Sequence, residues 1–582
     1  MDFFKNLISS ALGTFIAIGL FFVFMFVFFA GSIALLEQED FEVEIDEKTV
    51  LVLDTSKPIF DREPQDFSFF DALEIESAGF GLNTILPALE MASSDDKIIG
   101  ISIKNMSAAG GTSNLIALRN GLKKFKESGK FIKAYSDGYT QADYFLASIA
   151  DSIFVHPEGL VDFRGLSAEV MYYKSAQEKS GVTMEVIRQG KYKSAVEPYL
   201  FDKMSNENRI QIKTILSDVW SEMVDDIADS RGIDVKKLNV LADNLAGKNA
   251  NSALKHSLVD GIVTQRNYDE KIKEIDEDVE FISLASYLNV PNSKKIKSSN
   301  RIAVVYAEGP IIYGEGSTEV IGSGKLVRTL KSIGKKDNIK AVVIRVNSPG
   351  GSAFASELIW EEIEELKKNK TVVVSMGNVA ASGGYYISAG ADEIVAMPTT
   401  ITGSIGVLGT LPNFNKIATR WGVNAEQVMT NKQSMGYSPF EPVSNDFRNE
   451  VKSSIKQIYD TFLKRVSNGR SMSIEEVHEI AQGRVWSGKK AKEIGLIDHL
   501  GGMDVALERA SKLADIEDYK ISVYPKYIED LETIYEELFS GPFGKIKNKL
   551  PSEIVMIFDS EKSLLTKKEI IQARIPYTLN IR

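Results

Sequence analysis

The chain contains an internal repeat with a spacing of 241 residues, and this repeat constrains the fold more than any other feature. Residues 143–157 (DYFLASIADSIFVHP) correspond to residues 384–398 (GYYISAGADEIVAMP), and two shorter segments recur in the same order. A unit of this length is too long for a solenoid, so it indicates two consecutive domains of one fold. We place the first repeat at residues 48–290 and the second at residues 300–517.

Both repeats alternate short apolar runs with helical stretches. The apolar runs are rich in β-branched residues and lie at residues 49–55, 98–103, 131–135, 301–307, 340–346 and 371–376. The helical stretches between them lie at residues 113–128 and 352–368. Continuous apolar strands separated by helices are typical of βαβ units around a mostly parallel sheet. The sequence therefore predicts an α/β fold in tandem, joined by a polar linker near residues 289–300.

The N-terminal region, residues 1–47, is predicted to be a membrane anchor followed by an acidic linker. Residues 6–36 carry no charge and include seven Phe, whereas about 20 apolar residues suffice to cross a bilayer. The run is also longer than the roughly 7–15 apolar residues of a cleaved signal peptide, so we expect a retained single-pass helix. Lys5 precedes the run and acidic residues follow it, which predicts that the domains after the anchor lie on the outer, periplasmic side of the cytoplasmic membrane.

Composition excludes several classes of function. The net charge of −12 and the absence of a basic run argue against nucleic-acid binding. The chain has no Cys, which removes thiolate catalysis, Cys-ligated zinc and iron–sulfur clusters. Its four His show no metal-ligand spacing, so we expect neither a metal nor another cofactor.

Two glycine pairs of the second repeat follow predicted strands and precede predicted helices. They are Gly350–Gly351 in NSPGGS and Gly383–Gly384 in AASGGYYIS. Such turns let backbone N–H groups point at an oxyanion beside a helix N-terminus. Ser382 precedes the second pair, whereas the first repeat has Gln141 at the aligned position. Ser382 is therefore either a nucleophile or a helix N-cap.

A serine nucleophile needs a base, and the sequence offers a lysine rather than a histidine. None of the four His is close in sequence to either glycine turn. The segment GKYKSAVEP (190–198) contains Lys191 and Lys193, and the second repeat has Ser434 or Met435 where Lys193 would align. A lysine can act as a base near pH 7 only if burial lowers its pKa by roughly 3 units. The alternative is that Lys193 is an ordinary surface cation.

These segments, together with TGSIGV (402–407), resemble the signal peptide peptidase A family in its long, tandem-domain, membrane-anchored form. The resemblance runs from the apolar N-terminus to about residue 517. It implies a fold like those of the ClpP and crotonase proteins and a serine endopeptidase with a Ser–Lys dyad. It also implies a homotetramer, and substrates that are cleaved signal peptides and other apolar peptides.

The resemblance assigns a role to each matching residue. Ser382 would be the nucleophile, Lys193 the general base, and Ser404 a hydroxyl that orients the lysine. The oxyanion hole would combine the N–H of Gly383 with that of Gly350 or Gly351.

The remaining stretch, residues 518–582, resembles the family less clearly. An apolar stripe over residues 528–539 predicts an amphipathic helix that packs on its own protein or on a neighbouring subunit. Two other functions are compatible with the glycine turns. A crotonase-like acyl-CoA enzyme would not need a serine at position 382, and a non-catalytic membrane scaffold would need no nucleophile at all.

Overall fold

The fold was analysed in a computed structural model of the chain. It describes residues 45–63, 79–104, 107–290 and 297–525, the backbone of residues 571–574, and five positions between residues 13 and 24. The predicted helix at 528–539 lies wholly outside these residues. The uncharged run predicted to be an anchor lies outside them except at those five positions. In the part of the chain that is described, no helix is both long and apolar enough to cross a membrane.

The first repeat is an α/β domain built around a parallel sheet. Its strands are β1 (Thr49–Asp54), β2 (Ile59–Phe60), β3 (Phe80–Gly81), β4 (Ile98–Lys104), β5 (Phe131–Ser136), β6 (Ser152–Val155), β7 (Thr183–Gln189), β8 (Gly261–Ile262) and β9 (Glu280–Ser283). Its helices are α1 (Leu82–Ser94), α2 (Thr112–Lys126), α3 (Gln141–Ala147), α4 (Lys174–Ser180), α5 (Glu197–Leu200), α6 (Asn206–Arg231), α7 (Val235–Asp243), α8 (Ala250–Lys255), α9 (Gln265–Lys273) and α10 (Leu284–Tyr287).

The sheet of the first repeat has the order β8-β6-β5-β4-β1-β9, and every pairing in it is parallel. The central strands are buried on both faces, as their uninterrupted apolar sequences predict. Parallel strands need long crossovers, and the helices between them supply both the connections and the apolar cover.

The second repeat has the same arrangement. Its strands, with those of the C-terminal region, are β10 (Arg301–Glu308), β11 (Ile311–Ile312), β12 (Ile321–Gly322), β13 (Ile339–Ser348), β14 (Gly350–Ser352), β15 (Thr371–Ala381), β16 (Glu393–Ala396), β17 (Ile401–Gly403), β18 (Val407–Asn413), β19 (Val485–Ser487), β20 (His499–Leu500), β21 (Lys520–Tyr524) and β22 (Ile571–Arg574). Its helices are α11 (Ser323–Gly334), α12 (Ala353–Lys367), α13 (Gly383–Ser388), α14 (Asn415–Arg420), α15 (Asn445–Arg470), α16 (Ile474–Ile480), α17 (Gly488–Glu493) and α18 (Met503–Leu513).

The main sheet of the second repeat extends beyond residue 517, where the sequence placed the end of the domain. Its order is β19-β17-β15-β13-β10-β21, and β16 branches from β15 to pair with β20. β21 pairs with β10 in parallel, with Arg301 opposite Lys520. β21 is the counterpart of β9 in the first repeat, because Glu280 lies opposite Thr49 of β1 just as Lys520 lies opposite Arg301 of β10. The predicted boundary at residue 517 therefore falls just before the last strand of this sheet.

A third, mixed sheet joins the two repeats. Its order is β12-β11-β14-β22-β18-β7, so β7 of the first repeat pairs with β18 of the second. That pairing is antiparallel and covers seven residue pairs, from Val407 opposite Gln189 to Asn413 opposite Thr183. β22 lies between β14 and β18 and is antiparallel to both. This sheet brings the end of β7, and the loop that follows it, next to the second repeat.

Candidate active site

Ser382 lies at a tight turn between β15 and α13. Its backbone has φ of 55°, a left-handed conformation that costs energy for a residue with a side chain. A Cβ on Gly383 would lie 2.7 Å from Ser356 Oγ, and one on Gly384 would lie 2.7 Å from Ser348 O. The two glycines are therefore required by close packing, and the turn holds the Ser382 side chain at the end of the sheet.

Lys193 follows β7 and reaches this turn from the other repeat. Its Nζ lies 2.8 Å from Ser382 Oγ, 3.0 Å from Ser404 Oγ and 3.1 Å from the backbone oxygen of Ser404. The three residues that sequence reasoning selected thus meet at one point, although 189 positions separate the lysine from the first serine. The three side chains are buried.

The three contacts match the bonding capacity of a neutral amine, which has two N–H donors and one lone pair. The Ser404 carbonyl can only accept, so it takes one N–H. Ser404 Oγ donates to Gly483 O at 3.4 Å, which leaves it to accept the second N–H. The nitrogen lone pair is then available to the Ser382 hydroxyl. The arrangement can therefore take a proton from Ser382.

Burial lowers the pKa of Lys193 from 10.5 to about 7. The cause is desolvation alone, because no carboxylate among the described residues lies close enough to stabilise the ammonium form. A lysine with this pKa is about half deprotonated at neutral pH, which is what a general base requires.

The loop that carries Lys193 is held by groups that sequence reasoning missed. Gln211 of α6 donates to Ser194 Oγ and accepts from the backbone N–H of Val485, at 3.2 and 3.0 Å. Gly483 has φ of 79°, and a Cβ there would lie 2.6 Å from Lys193 Cβ. Of these residues, only the glycine at position 483 could have been noticed in the sequence. A single glycine does not indicate which residue packs against it.

The backbone donors around Ser382 lie in two neighbouring turns. Gly383 begins α13, so its N–H has no partner within the helix. Of the other two candidates, the Gly350 N–H already donates to Ser348 Oγ at 3.1 Å. Gly351 N lies 3.1 Å from the position of a Cβ on Gly383. Gly351 is therefore the better placed partner of Gly383 for an oxyanion.

Comparison with known proteins shows which family the chain resembles in sequence. The family model for peptidase family S49 matches residues 124–280 and 364–517, and thus both repeats. A Clp protease model matches residues 293–403. Protease 4 of Haemophilus influenzae is 35% identical over 520 residues, which cover 85% of this chain and 84% of that protein.

The chain belongs to peptidase family S49. Protease 4 of Salmonella typhi is a further relative of this S49 chain, 33% identical over 81% of this chain and 77% of that protein. The chloroplastic serine protease SPPA of Arabidopsis thaliana is 30% identical over 76% of this chain and 67% of that protein. The chain is thus a serine peptidase with ClpP-like α/β domains in tandem, which confirms the family predicted from its motifs.

The first repeat of this S49 peptidase lacks a nucleophile at the equivalent turn. Gln141 stands there, and its side chain accepts from the N–H groups of Arg164 and Gly165. The corresponding glycine turn is filled by the second repeat, because Asn378 Oδ1 accepts from the N–H of Ser113 at 3.0 Å. The first repeat therefore supplies the lysine loop and a docking surface.

Two histidines of the second repeat form contacts away from Ser382. His478 bonds to the Tyr459 hydroxyl at 2.9 Å, and His499 lies 3.3 Å from Glu393. Within the described ranges, no group of three or more His, Asp or Glu side chains is arranged to hold a metal ion.

Proposed function

We propose that this peptidase cleaves peptide bonds through an acyl-enzyme formed on Ser382, with Lys193 as general base. Neutral Lys193 accepts the Ser382 proton while Oγ attacks the carbonyl carbon of the substrate. The N–H groups of Gly383 and Gly351 stabilise the oxyanion, and removal of one such donor costs typically 10²- to 10³-fold in kcat. Lys193 then protonates the leaving amine, and a water molecule hydrolyses the ester.

The observation that carries this proposal is the 2.8 Å separation of Lys193 Nζ from Ser382 Oγ, in a buried site to which the described part of the chain brings no carboxylate. A lysine in an ordinary structural role pairs with an acidic group or extends into water. Burial of an unpaired amine costs stability, and a peptidase gains a base that is neutral at physiological pH.

The proposed substrate binds as an extended strand. β22 of the chain itself lies beside the glycine turn, antiparallel to β14, with Gly351 opposite Ala573. Its other edge pairs with β18. The space between β14 and β18 thus holds one extended segment that is paired on both edges. Such a space suits a peptide bound through main-chain hydrogen bonds.

The proposed location is the outer face of the cytoplasmic membrane, and the proposed substrates are cleaved signal peptides and other apolar peptides. The uncharged run at residues 6–36 supports this location, because it is long enough to hold the domains at a bilayer. Fractionation tests it: the full chain should pellet with membranes and resist carbonate extraction, and exposed domains should be digested by protease added from outside.

The dyad is tested with Ser382→Ala and Lys193→Ala, each compared with Lys191→Ala. Lys191 is exposed, two positions from Lys193, and its amine lies over the Tyr192 ring. We expect each dyad variant to lose at least about 10⁴-fold in kcat/KM on a fluorogenic peptide, and Lys191→Ala to stay within about threefold. A fluorophosphonate should label the wild type and fail to label Ser382→Ala. Normal turnover by folded Lys193→Ala would refute the assignment of the base.

A further inference from the structure

The loop that carries Lys193 ends in a buried carboxylate, that of Glu197. This residue begins α5, and its side chain is 1% exposed. The Ser205 hydroxyl donates to one carboxylate oxygen at 2.7 Å, and the Ser205 N–H donates to the other at 3.3 Å. Because a carboxylate is almost never fully buried without a charged partner, a cation is expected beside it.

Arg188 of β7 is that cation, and it also bonds to the backbone of the lysine. Its Nη1 lies 3.6 Å from Glu197 Oε1 and donates to the carbonyl oxygen of Lys193 at 3.0 Å. Arg188 is itself fixed in register, because β7 pairs there with Leu408 of β18. A charged donor makes a stronger bond to a carbonyl than a neutral one does. The guanidinium therefore ties the main chain of Lys193 to the strand that joins the two repeats.

This charge pair belongs to the repeat that supplies the lysine. The positions 241 residues further along hold Met429 and Ser438, which carry no charge. The loop around them is otherwise built alike, because the next residue in each repeat, Pro198 or Pro439, accepts a backbone N–H bond at 2.7 Å from a residue at the matching position. The second repeat thus folds the same segment without the charges and without a lysine. The pair is therefore associated with the lysine rather than with the fold of the loop.

Stability alone does not explain the pair. The desolvation of two buried charges offsets most of their attraction, and uncharged residues of similar volume are often at least as stable at such sites. The pair does give direction, since a guanidinium bonds through a rigid fork of donors. The group that it directs here is the main chain of Lys193.

Other charged groups around the loop come from several segments. Lys191 and Arg484 lie over the Tyr192 ring, 5.2 and 5.1 Å from its centroid. Tyr172 and Arg209 lie on the carboxylate side of the loop, where burial and then the carboxylate charge raise the pKa of Tyr172, and Arg209 opposes this. None of these charges sets the pKa of the lysine, which burial alone lowers.

The position of the loop controls how well the lysine amine is shielded from water. Since burial lowers the pKa of Lys193 to about 7, that pKa depends on how closely the loop covers Nζ. A looser loop would let water reach the amine and would raise its pKa toward 10.5. It would also move Nζ away from Ser382 Oγ, which lies 2.8 Å from it. A lysine base therefore needs a loop that stays closed.

We propose that Arg188 and Glu197 are positioning residues for the base. Glu197 holds the Arg188 guanidinium against the carbonyl oxygen of Lys193, and the guanidinium keeps the loop closed over Nζ. Both side chains act through Lys193 and not on the reacting atoms. This role rests on the proposed function of Lys193 as general base.

The test compares Arg188→Met and Glu197→Gln with the control Glu185→Gln. Met stands at the matching position of the second repeat, and Gln keeps the size of Glu without its charge. Glu185 lies nearer the start of β7 and pairs with Arg448 at 2.8 Å. In both variants of the pair, kcat on a fluorogenic peptide should fall at least about tenfold with KM within about twofold, because the base is displaced while the peptide still binds. Glu185→Gln should keep kcat within about twofold of the wild type.

The pH profile separates positioning from stabilisation. The acid limb of kcat/KM has its midpoint at about 7 in the wild type. In Arg188→Met and Glu197→Gln this midpoint should move up by at least about half a pH unit, because water reaches the amine. Arg188→Lys keeps a charged donor and should lie between Arg188→Met and the wild type in both kcat and midpoint. Glu185→Gln should leave the midpoint unchanged.

Circular dichroism shows which variants are folded, so that a loss of stability is not taken for a loss of kcat. If Arg188→Met does not fold, Glu197→Gln and Arg188→Lys decide the question. A folded Glu197→Gln enzyme with wild-type kcat, or with a lower kcat and an unmoved midpoint, would overturn the proposal and leave the pair a structural contact. Failure of the base assignment itself has a different signature, because Lys193→Ala would then be as active as the wild type.

Discussion

At the scale of single residues, the site depends on one amine that has no charged partner among the residues that the structure describes. Lys193 is buried among groups that satisfy its hydrogen bonds without supplying a negative charge. Ser404 has a double role, because both its hydroxyl and its carbonyl bind Nζ and thereby direct the lone pair to Ser382. The rare backbone conformations of Ser382 and Ser404, with φ of 55° and 52°, keep the three groups in register.

The first prediction at this scale is a pH profile. Since only neutral Lys193 can accept a proton, kcat/KM on an uncharged peptide should rise tenfold per pH unit up to about 7 and then level off. Burial also raises the pKa of Glu308 to about 7, so that carboxyl needs a control. Glu308→Gln should leave the acid limb in place. A profile that is flat between pH 5 and 7 would exclude Lys193 as the titrating base.

The second prediction concerns stability. Between pH 7 and 10.5 the unfolded chain holds a proton on Lys193 that the folded chain has released, so wild-type stability rises with pH across this window. Lys193→Met removes the desolvation cost. It should therefore stabilise the fold by at most about 5 kcal/mol at pH 7 and by about 2 kcal/mol at pH 9.

The measurement is the urea midpoint of Lys193→Met at the two pH values, beside Lys191→Met. The exposed Lys191 position should give no pH-dependent gain. A Lys193→Met variant no more stable than wild type at pH 7 would mean that the amine is not desolvated in the fold.

The sequence predicted the three side chains of the site but not what holds them. Ser382 and Lys193 stand out because the repeats differ there, and Ser404 follows from the family motif. Gln211 could not be predicted, because it bridges Ser194 and Val485, residues joined only by the tertiary fold. Gly351 rather than Gly350 could be preferred only once the Ser348 hydroxyl was seen to engage Gly350 N–H.

At the scale of elements, the long parallel strands were predictable and the mixed sheet was not. β10, β13 and β15 are continuous apolar runs whose burial requires a sheet covered on both faces. β7 and β18 are half-buried and contain polar residues, and each finds its partner in the other repeat. Local patterning carries no information about a partner more than 200 positions away.

The prediction at this scale concerns β22. Because β22 occupies the edge beside the glycine turn, it should compete with an extended substrate. Ala573→Pro removes a backbone N–H and disfavours a central strand, so we expect KM for a peptide substrate to fall severalfold with kcat nearly unchanged. Ala573→Ser retains the N–H and should behave as wild type.

Steady-state kinetics at fixed pH distinguish the two outcomes. A synthetic peptide with the sequence of residues 568–577 should also inhibit Ala573→Pro competitively. An unchanged KM in a folded Ala573→Pro variant would mean that β22 lies outside the path of the substrate.

At the scale of the whole molecule, the two repeats contribute different residues to the same site. The first repeat gives Lys193 and the second gives Ser382, so neither repeat forms the proposed dyad alone. Besides the β7–β18 pairing, the contacts between the repeats include a buried two-point ion pair of Asp61 with Arg345, at 2.6 and 2.7 Å, and Asn378, which fills the glycine turn of the first repeat. Removing one member of a buried ion pair costs typically 3–5 kcal/mol, so this interface tolerates little change.

The last prediction follows from the position of both members of the proposed dyad in one chain. If the first repeat of each chain serves its own second repeat, mixing Lys193→Ala chains with Ser382→Ala chains should restore no activity, even after unfolding and refolding together. In a dyad shared between chains, random assembly of the two variants would rebuild sites with both residues intact and would recover about a quarter of the wild-type activity. Fluorophosphonate labelling of the mixture gives an independent reading: the Lys193→Ala chains retain Ser382 but should stay unlabelled. Recovery of activity would place the lysine of one chain against the serine of another, and would exclude the intrachain dyad while leaving the Ser–Lys chemistry itself intact.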